Sequence, residues 1–100
     1  MKTVMVRYKT AEAHGEANAA LVRAVFDELR TSAPSGLQYA SWRLPDGVSF
    51  IHVATLASPD DNPLTRSPAF AAFQKELKSR CVEPPSVTEL TSVGAYGSVG

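Results

Sequence analysis

The chain has 100 residues, enough for one domain with a core of its own. Ten basic residues balance ten acidic ones, so no net positive field directs the protein to nucleic acid or to anionic lipid. The sequence contains no apolar run long enough to cross a bilayer and no signal-peptide pattern, and its lone cysteine, Cys81, cannot form an internal disulfide. These features favour a single cytoplasmic domain over residues 1–100.

The first third of the chain predicts a strand followed by a helix. β-branched and aromatic residues are concentrated over Lys2–Lys9, as is typical of a strand. From about Glu16 to Thr31 the apolar residues recur at helical spacing, with charged residues on the other side. Pro34 and Gly36 then end the helix.

A hairpin is predicted next, with strands over Leu37–Leu44 and Val48–Leu56. The intervening Pro45-Asp46-Gly47 suits a type I turn followed by a bulge, because proline fits the first turn position and glycine accepts a positive φ. That three-residue loop pairs Trp42 with Phe50 and Ala40 with His52, and it groups most of the large apolar residues on one face.

A two-residue loop would shift the pairing of these strands by one residue. Because side chains alternate between the two faces of a strand, the shift would bring Tyr39 and Ser41 onto the face of His52 and remove Trp42 from it. The grouping of apolar residues favours the three-residue loop.

The last third of the chain predicts a helix and a final strand. A polar loop, with a short helical turn after Asn62-Pro63, leads to Ser67, which is a good helix N-cap. The helix is predicted over Pro68–Cys81, and Pro84-Pro85 prevent its extension. A strand over Ser86–Tyr96 follows.

This β-α-β-β-α-β order predicts an α+β, ferredoxin-like fold, with a four-stranded antiparallel sheet and both helices on one face. The opposite sheet face would carry Ile51, Val53 and Tyr39, together with either Met5 or the pair Val4 and Val6, which is too much apolar surface to leave in water. We therefore expect a homodimer that packs through this sheet face.

The element order, the strand "SFIHVATLAS" and the helix "SPAFAAFQKEL" resemble the antibiotic biosynthesis monooxygenase-like group over essentially the whole chain. The resemblance implies a dimeric α+β barrel and a cofactor-independent monooxygenase-like activity on a small aromatic or polyketide-like compound. The oxygenases of this group use an asparagine and a tryptophan on the third strand, where this chain has His52 and Leu56. Haem-degrading members have an asparagine on the first strand and a histidine on the second helix. Here Arg7 stands on the first strand and the helix has no histidine, so haem is not expected.

His52 is the candidate catalytic residue, because an imidazole can accept the proton of a phenolic substrate near neutral pH. The candidate substrate-binding residues are Trp42, Phe50, Phe73, Arg7 and Tyr39. The aromatic rings would hold a planar compound, and Arg7 or Tyr39 would bind a carbonyl. Each of these residues also has a purely structural interpretation, in the core or at a dimer interface.

Other classes of function have less support. The sequence has no glycine-rich phosphate loop, and its two histidines form no metal-ligand set, so neither a cofactor nor a metal is expected. RNA-recognition domains share the element order, but here Asp46 stands before Gly47 where their motif requires a basic residue, so nucleic acid is not an expected partner. A non-catalytic small-ligand-binding protein or a structural homodimer remains the alternative.

Overall fold

The computed structural model describes residues 1–97 and contains one four-stranded antiparallel sheet in the order β2-β3-β1-β4. Its elements are β1 (Lys2–Thr10), α1 (Gly15–Ser32), β2 (Leu37–Arg43), β3 (Ser49–Leu56), α2 (Pro68–Lys75), α3 (Leu77–Arg80) and β4 (Cys81–Leu90). Single 3₁₀ turns, Glu12–His14 and Pro63–Arg66, precede α1 and α2. The predicted ferredoxin-like fold is therefore confirmed. The last three residues of the predicted domain, 98–100, lie outside the described residues.

One face of the sheet packs against the helices and forms the core. The apolar stripe of α1 supplies Ala19, Val22 and Val25 to it. The other buried members of the core cluster are Tyr8, Phe50, Leu64, Phe73 and Leu77. The alternating burial along β3 follows from the period of two in a strand, since every second residue points at the helices. None of the helices within residues 1–97 is long and apolar enough to span a membrane.

Two side chains cap the beginning of α2: Ser67, which the sequence predicts as the N-cap, and Glu28, which it does not. Ser67 is the N-cap and its hydroxyl oxygen accepts a hydrogen bond from the Phe70 amide at 3.0 Å. Glu28 of α1 accepts hydrogen bonds from the Ser67 hydroxyl at 2.5 Å and from the Ala69 amide at 2.9 Å. A carboxylate near a helix N-terminus is favourable because it satisfies free amides and faces the positive end of the dipole. Glu28 therefore ties the two helices together.

The hairpin register predicted from the three-residue loop is wrong. Ser41 pairs with His52 and Trp42 pairs with Ile51. Trp42 therefore lies on the open face of the sheet, whereas Tyr39 and Ser41 lie on the face of His52. The physical reason is Asp46, whose carboxylate accepts the amides of Val48 and Ser49 at 3.0 and 2.8 Å and the Ser49 hydroxyl at 2.6 Å. These bonds close a four-residue loop between Leu44 and Ser49. The strands are therefore shifted by one residue from the predicted pairing, as in the two-residue alternative, and the same side chains share a face with His52.

The predicted second helix and last strand are also corrected. The helix breaks at Glu76, which has φ −127° and ψ 24°, and the strand already begins at Cys81 and ends at Leu90. Pro84-Pro85 therefore lie inside a strand, where the sequence predicts a barrier between elements. β4 tolerates them because it is an edge strand and because the register shifts there: two prolines stand opposite one residue of β1, as in a β-bulge.

Candidate functional site

A cavity of about 530 Å³ lies between the helix-facing side of the sheet and α2. Its apolar walls come from Val4, Val6, Phe70, Phe73, Leu77 and Val87, residues of β1, α2, α3 and β4. Its polar groups include Tyr8, Tyr39 and His52. A concave, mostly apolar cavity with a few convergent polar groups is the usual form of a small-molecule site.

His52 lies at the centre of β3 and is only 3% exposed. Both ring nitrogens have partners: Nε2 lies 2.8 Å from the Tyr8 hydroxyl, and Nδ1 lies 2.5 Å from the Ser41 hydroxyl and 3.1 Å from the Tyr39 hydroxyl. All three partners come from neighbouring strands of the same sheet face, which places them around the ring. The imidazole is thus held in one orientation beside the cavity.

The hydrogen-bond chain continues from Tyr8 away from the cavity. Asn18 of α1, which is fully buried, donates from Nδ2 to the Tyr8 hydroxyl at 2.8 Å. Arg80 of α3 in turn donates from Nε to Asn18 Oδ1 at 3.2 Å and from its terminal nitrogen to the Phe73 carbonyl at 2.7 Å. The network therefore runs from Arg80 through Asn18 and Tyr8 to His52.

Stacked aromatic rings fix the same groups. The Tyr8 ring is nearly parallel to those of His52 and Phe50, with centroids 5.3 and 5.5 Å away. The Tyr39 ring stacks on His52 at 5.9 Å and on Phe26 at 5.2 Å. Such offset contacts add to the energy of burial and restrict ring rotation. The hydroxyl groups of Tyr8 and Tyr39 are therefore positioned from two sides.

Burial governs the ionisation of this site. Loss of hydration lowers the pKa of His52 to about 4, so the ring is neutral at pH 7. It also raises the pKa of Tyr39 to about 12, opposed by the hydrogen bond from Ser41, and raises the pKa of Tyr8 against the opposing bond from Asn18. These three side chains are therefore neutral hydrogen-bonding groups at pH 7.

The structure brings together three of the candidate residues named from the sequence. His52, Tyr39 and Phe73 line the cavity, and Phe50 packs behind it against Tyr8. The other two candidate substrate-binding residues do not lie at the cavity, so their predicted placement is wrong.

Trp42 lies on the opposite face, 43% exposed, because the Asp46 loop sets the other register. Arg7 alternates with Tyr8 along β1 and is exposed on that opposite face, across from Ile51. Neither residue reaches the cavity that His52 lines.

Asn18 and Arg80 are site residues that sequence reasoning missed. Asn18 stands four and seven residues before Val22 and Val25, so it occupies the apolar stripe of α1. A polar residue on a buried stripe needs a buried hydrogen-bond partner, so the position of Asn18 in the sequence pattern indicates a buried polar contact. Arg80 gave no comparable signal, since 62 positions separate it from Asn18.

In the part of the chain that the structure describes, no three histidine, cysteine or acidic side chains come together as a metal-binding group. The site therefore consists of the cavity and its hydrogen-bond network. Its chemistry is that of phenol, hydroxyl, imidazole, amide and guanidinium groups, together with the basic side chain of Lys78, which also lines the cavity.

No protein-family model and no curated protein matches the sequence. Solved structures do match over nearly the whole chain. Rv0793 from Mycobacterium tuberculosis is 20% identical with a TM-score of 0.74, and the alignment covers 96% of this chain and 98% of that one. PA3566 from Pseudomonas aeruginosa is 21% identical with a TM-score of 0.72, covering 93% and 94%.

A crystal structure named as an antibiotic biosynthesis monooxygenase is 15% identical with a TM-score of 0.73, and the alignment covers 94% of this chain and all of that one. Identities this low speak for the fold and leave the activity open. The element order, the sheet topology and these matches agree: the chain has the fold of the antibiotic biosynthesis monooxygenase-like proteins.

Proposed function

We propose that the protein binds a small phenolic compound in the cavity between the sheet and α2 and oxygenates it with molecular oxygen, without a cofactor. The observation that carries this proposal is the placement of the Tyr8–His52 pair beside an apolar cavity of about 530 Å³. In the balanced reaction, a phenol with a free para C–H takes up one O₂ and yields a quinone and one water.

The residues of the cavity would divide the work between binding and proton transfer. The rings of Phe70 and Phe73, whose centroids lie 6.0 Å apart, would hold the aromatic ring of the substrate. The substrate hydroxyl would give its proton to the Tyr8 oxygen as Tyr8 passes its own to His52 Nε2. The resulting phenolate is electron-rich enough to react with oxygen at the para carbon.

A second function, binding without turnover, is favoured by the ionisation of His52. Burial lowers the pKa of His52 to about 4, which makes the ring a weak base, and its two nitrogens already have partners. A protein that only sequesters its ligand needs no stronger base. The two functions share the cavity and differ in whether oxygen is consumed.

The distinguishing experiment uses 1-naphthol, whose oxygenation gives 1,4-naphthoquinone and water, with both oxygen uptake and calorimetric binding measured. Oxygenation predicts stoichiometric uptake that falls by about 100-fold in His52→Ala, a typical loss when acid–base assistance is removed. His14→Ala, at an exposed residue before α1, is the matched control and keeps the wild-type rate. Binding with no uptake, or with equal uptake in wild type and His52→Ala, contradicts the oxygenase and supports the non-catalytic binder.

We also propose that two copies pack through the open face of the sheet. Met5, Ile51 and Val53 are half-buried on this face, and Trp42 is 43% exposed among them. Apolar side chains grouped on one flat surface favour a self-complementary contact. The cavity lies on the other face, so each copy would hold a complete site.

A further inference from the structure

In the hydrogen-bond network beside the cavity, each group donates its proton to the next one, from Arg80 to His52. The direction of donation is set by Arg80, at the end far from the cavity. A guanidinium can only donate hydrogen bonds. Since Arg80 Nε lies 3.2 Å from the side chain of Asn18, the atom facing it must be the amide oxygen. The Asn18 NH₂ group then faces Tyr8 and donates to its hydroxyl oxygen at 2.8 Å.

The direction passes through Tyr8 to the imidazole. The Tyr8 oxygen accepts from Asn18, and its own proton needs an acceptor in this buried place. His52 Nε2, 2.8 Å away, is that acceptor, so Nε2 carries no hydrogen. A neutral imidazole has one N–H, which therefore resides on Nδ1.

The position of the ring proton determines what the hydroxyl group of Tyr39 can do. A protonated Nδ1 donates to the nearer oxygen, that of Ser41 at 2.5 Å, and accepts from neither neighbour. The hydroxyl proton of Tyr39 therefore cannot go to the ring. Tyr39 lines the cavity, so this proton is available to a ligand there.

We propose that Arg80 and Asn18 are positioning residues that fix His52 as the Nδ1–H tautomer, and that Tyr39 consequently keeps a free hydroxyl proton with which it recognises a ligand. The cavity then selects a compound with a carbonyl or phenolate oxygen beside Tyr39. This inference takes its site from the proposed function but requires no turnover.

The tautomer is measured by ¹H–¹⁵N NMR of the histidine ring nitrogens at neutral pH. The chain has two histidines, and His14→Gln leaves the His52 signals alone in the spectrum. The expected pattern is Nδ1–H with an unprotonated Nε2. An Nε2–H pattern in the wild-type background overturns the inference directly, without any change in the network.

Two substitutions test the control by Asn18 and Arg80. In Asn18→Asp the carboxylate only accepts, so Tyr8 must donate to it and accept from His52, and the tautomer reverses to Nε2–H. Arg80→Lys keeps a donor-only cation and retains Nδ1–H. A folded Asn18→Asp protein that keeps the wild-type tautomer contradicts the proposed direction.

Ligand selection is tested with 1-tetralone and tetralin, which share one skeleton and differ by the carbonyl oxygen. Wild type is expected to bind 1-tetralone roughly three- to tenfold more tightly, the contribution of one neutral hydrogen bond. Tyr39→Phe and Asn18→Asp lose this preference. Tyr96→Phe makes the same chemical change at a fully exposed residue and keeps it. Equal binding of the two probes to wild type, or binding of neither, overturns the assignment of Tyr39.

These measurements separate the inference from the proposed function. Absence of oxygen uptake with the expected tautomer and carbonyl preference rejects only the oxygenase. Oxygen uptake with an Nε2–H tautomer rejects only the present inference.

Discussion

His52 couples the stability of the fold to pH. Its pKa is about 4 in the folded protein, whereas an unfolded histidine titrates near 6.5, so between these values the unfolded state binds the additional proton. The contribution of the neutral His52 ring to stability is therefore fully present above about pH 6.5 and is lost as the pH falls toward 4. The full loss amounts to about 3 kcal/mol from this group.

Urea unfolding at several pH values between 7 and 4.5 measures this effect. We expect the free energy of unfolding to decrease across the range in wild type and to decrease less in His52→Gln, which removes the titrating group. The exposed variant His14→Gln keeps the wild-type slope. A wild-type stability that stays constant from pH 7 to 4.5 would refute the lowered pKa of His52.

At the scale of elements, the hairpin loop and the start of α1 are in direct contact. A Cβ placed on Gly15 would lie 2.7 Å from the carbonyl oxygen of Gly47, which is a backbone atom and cannot rotate away. We expect Gly15→Ala to lower stability by about 1–2 kcal/mol, because overpacking exceeds the gain in helix propensity. Thermal unfolding measures the change.

Gly94→Ala is the matched control for this substitution. A Cβ on Gly94 would meet nothing within 4 Å, so the melting temperature should stay at the wild-type value. An equal melting temperature for Gly15→Ala and wild type would show that the loop moves aside at no cost.

The elements also show why prediction from sequence succeeded for the fold and failed for part of the site. The residue pattern located the first three strands and α1, because burial on one face leaves a periodic trace in the sequence. The hairpin register left no such trace: Pro45-Asp46-Gly47 suits loops that differ by one residue, and the bonds of Asp46 to Val48 and Ser49 decide between them. Through this register, Asp46 places Ser41 and Tyr39 beside His52 and leaves Trp42 on the opposite face.

At the scale of the whole molecule, the open sheet face determines the assembly that we propose. Ile51→Lys places a charge among the apolar side chains of this face, while Ile51 is only half-buried in the single chain and the fold should persist. Light scattering at micromolar concentration is expected to give the mass of two chains for wild type and of one chain for Ile51→Lys.

Ala24→Lys adds the same charge on the exposed side of α1 and should keep the mass of two chains. A wild-type mass of one chain, or a dimer that persists in Ile51→Lys, contradicts assembly through this face.

The proline pair in β4 protects the outer edge of the sheet. An edge strand offers unpaired N–H and C=O groups that can recruit strands from other molecules, which is how sheets begin to aggregate. Pro84-Pro85 remove two N–H groups in succession, and the register shift at the same place disrupts the regular ladder. The same two prolines, which the sequence predicts to separate the second helix from the last strand, thus make this edge of the sheet a poor template for fibrils.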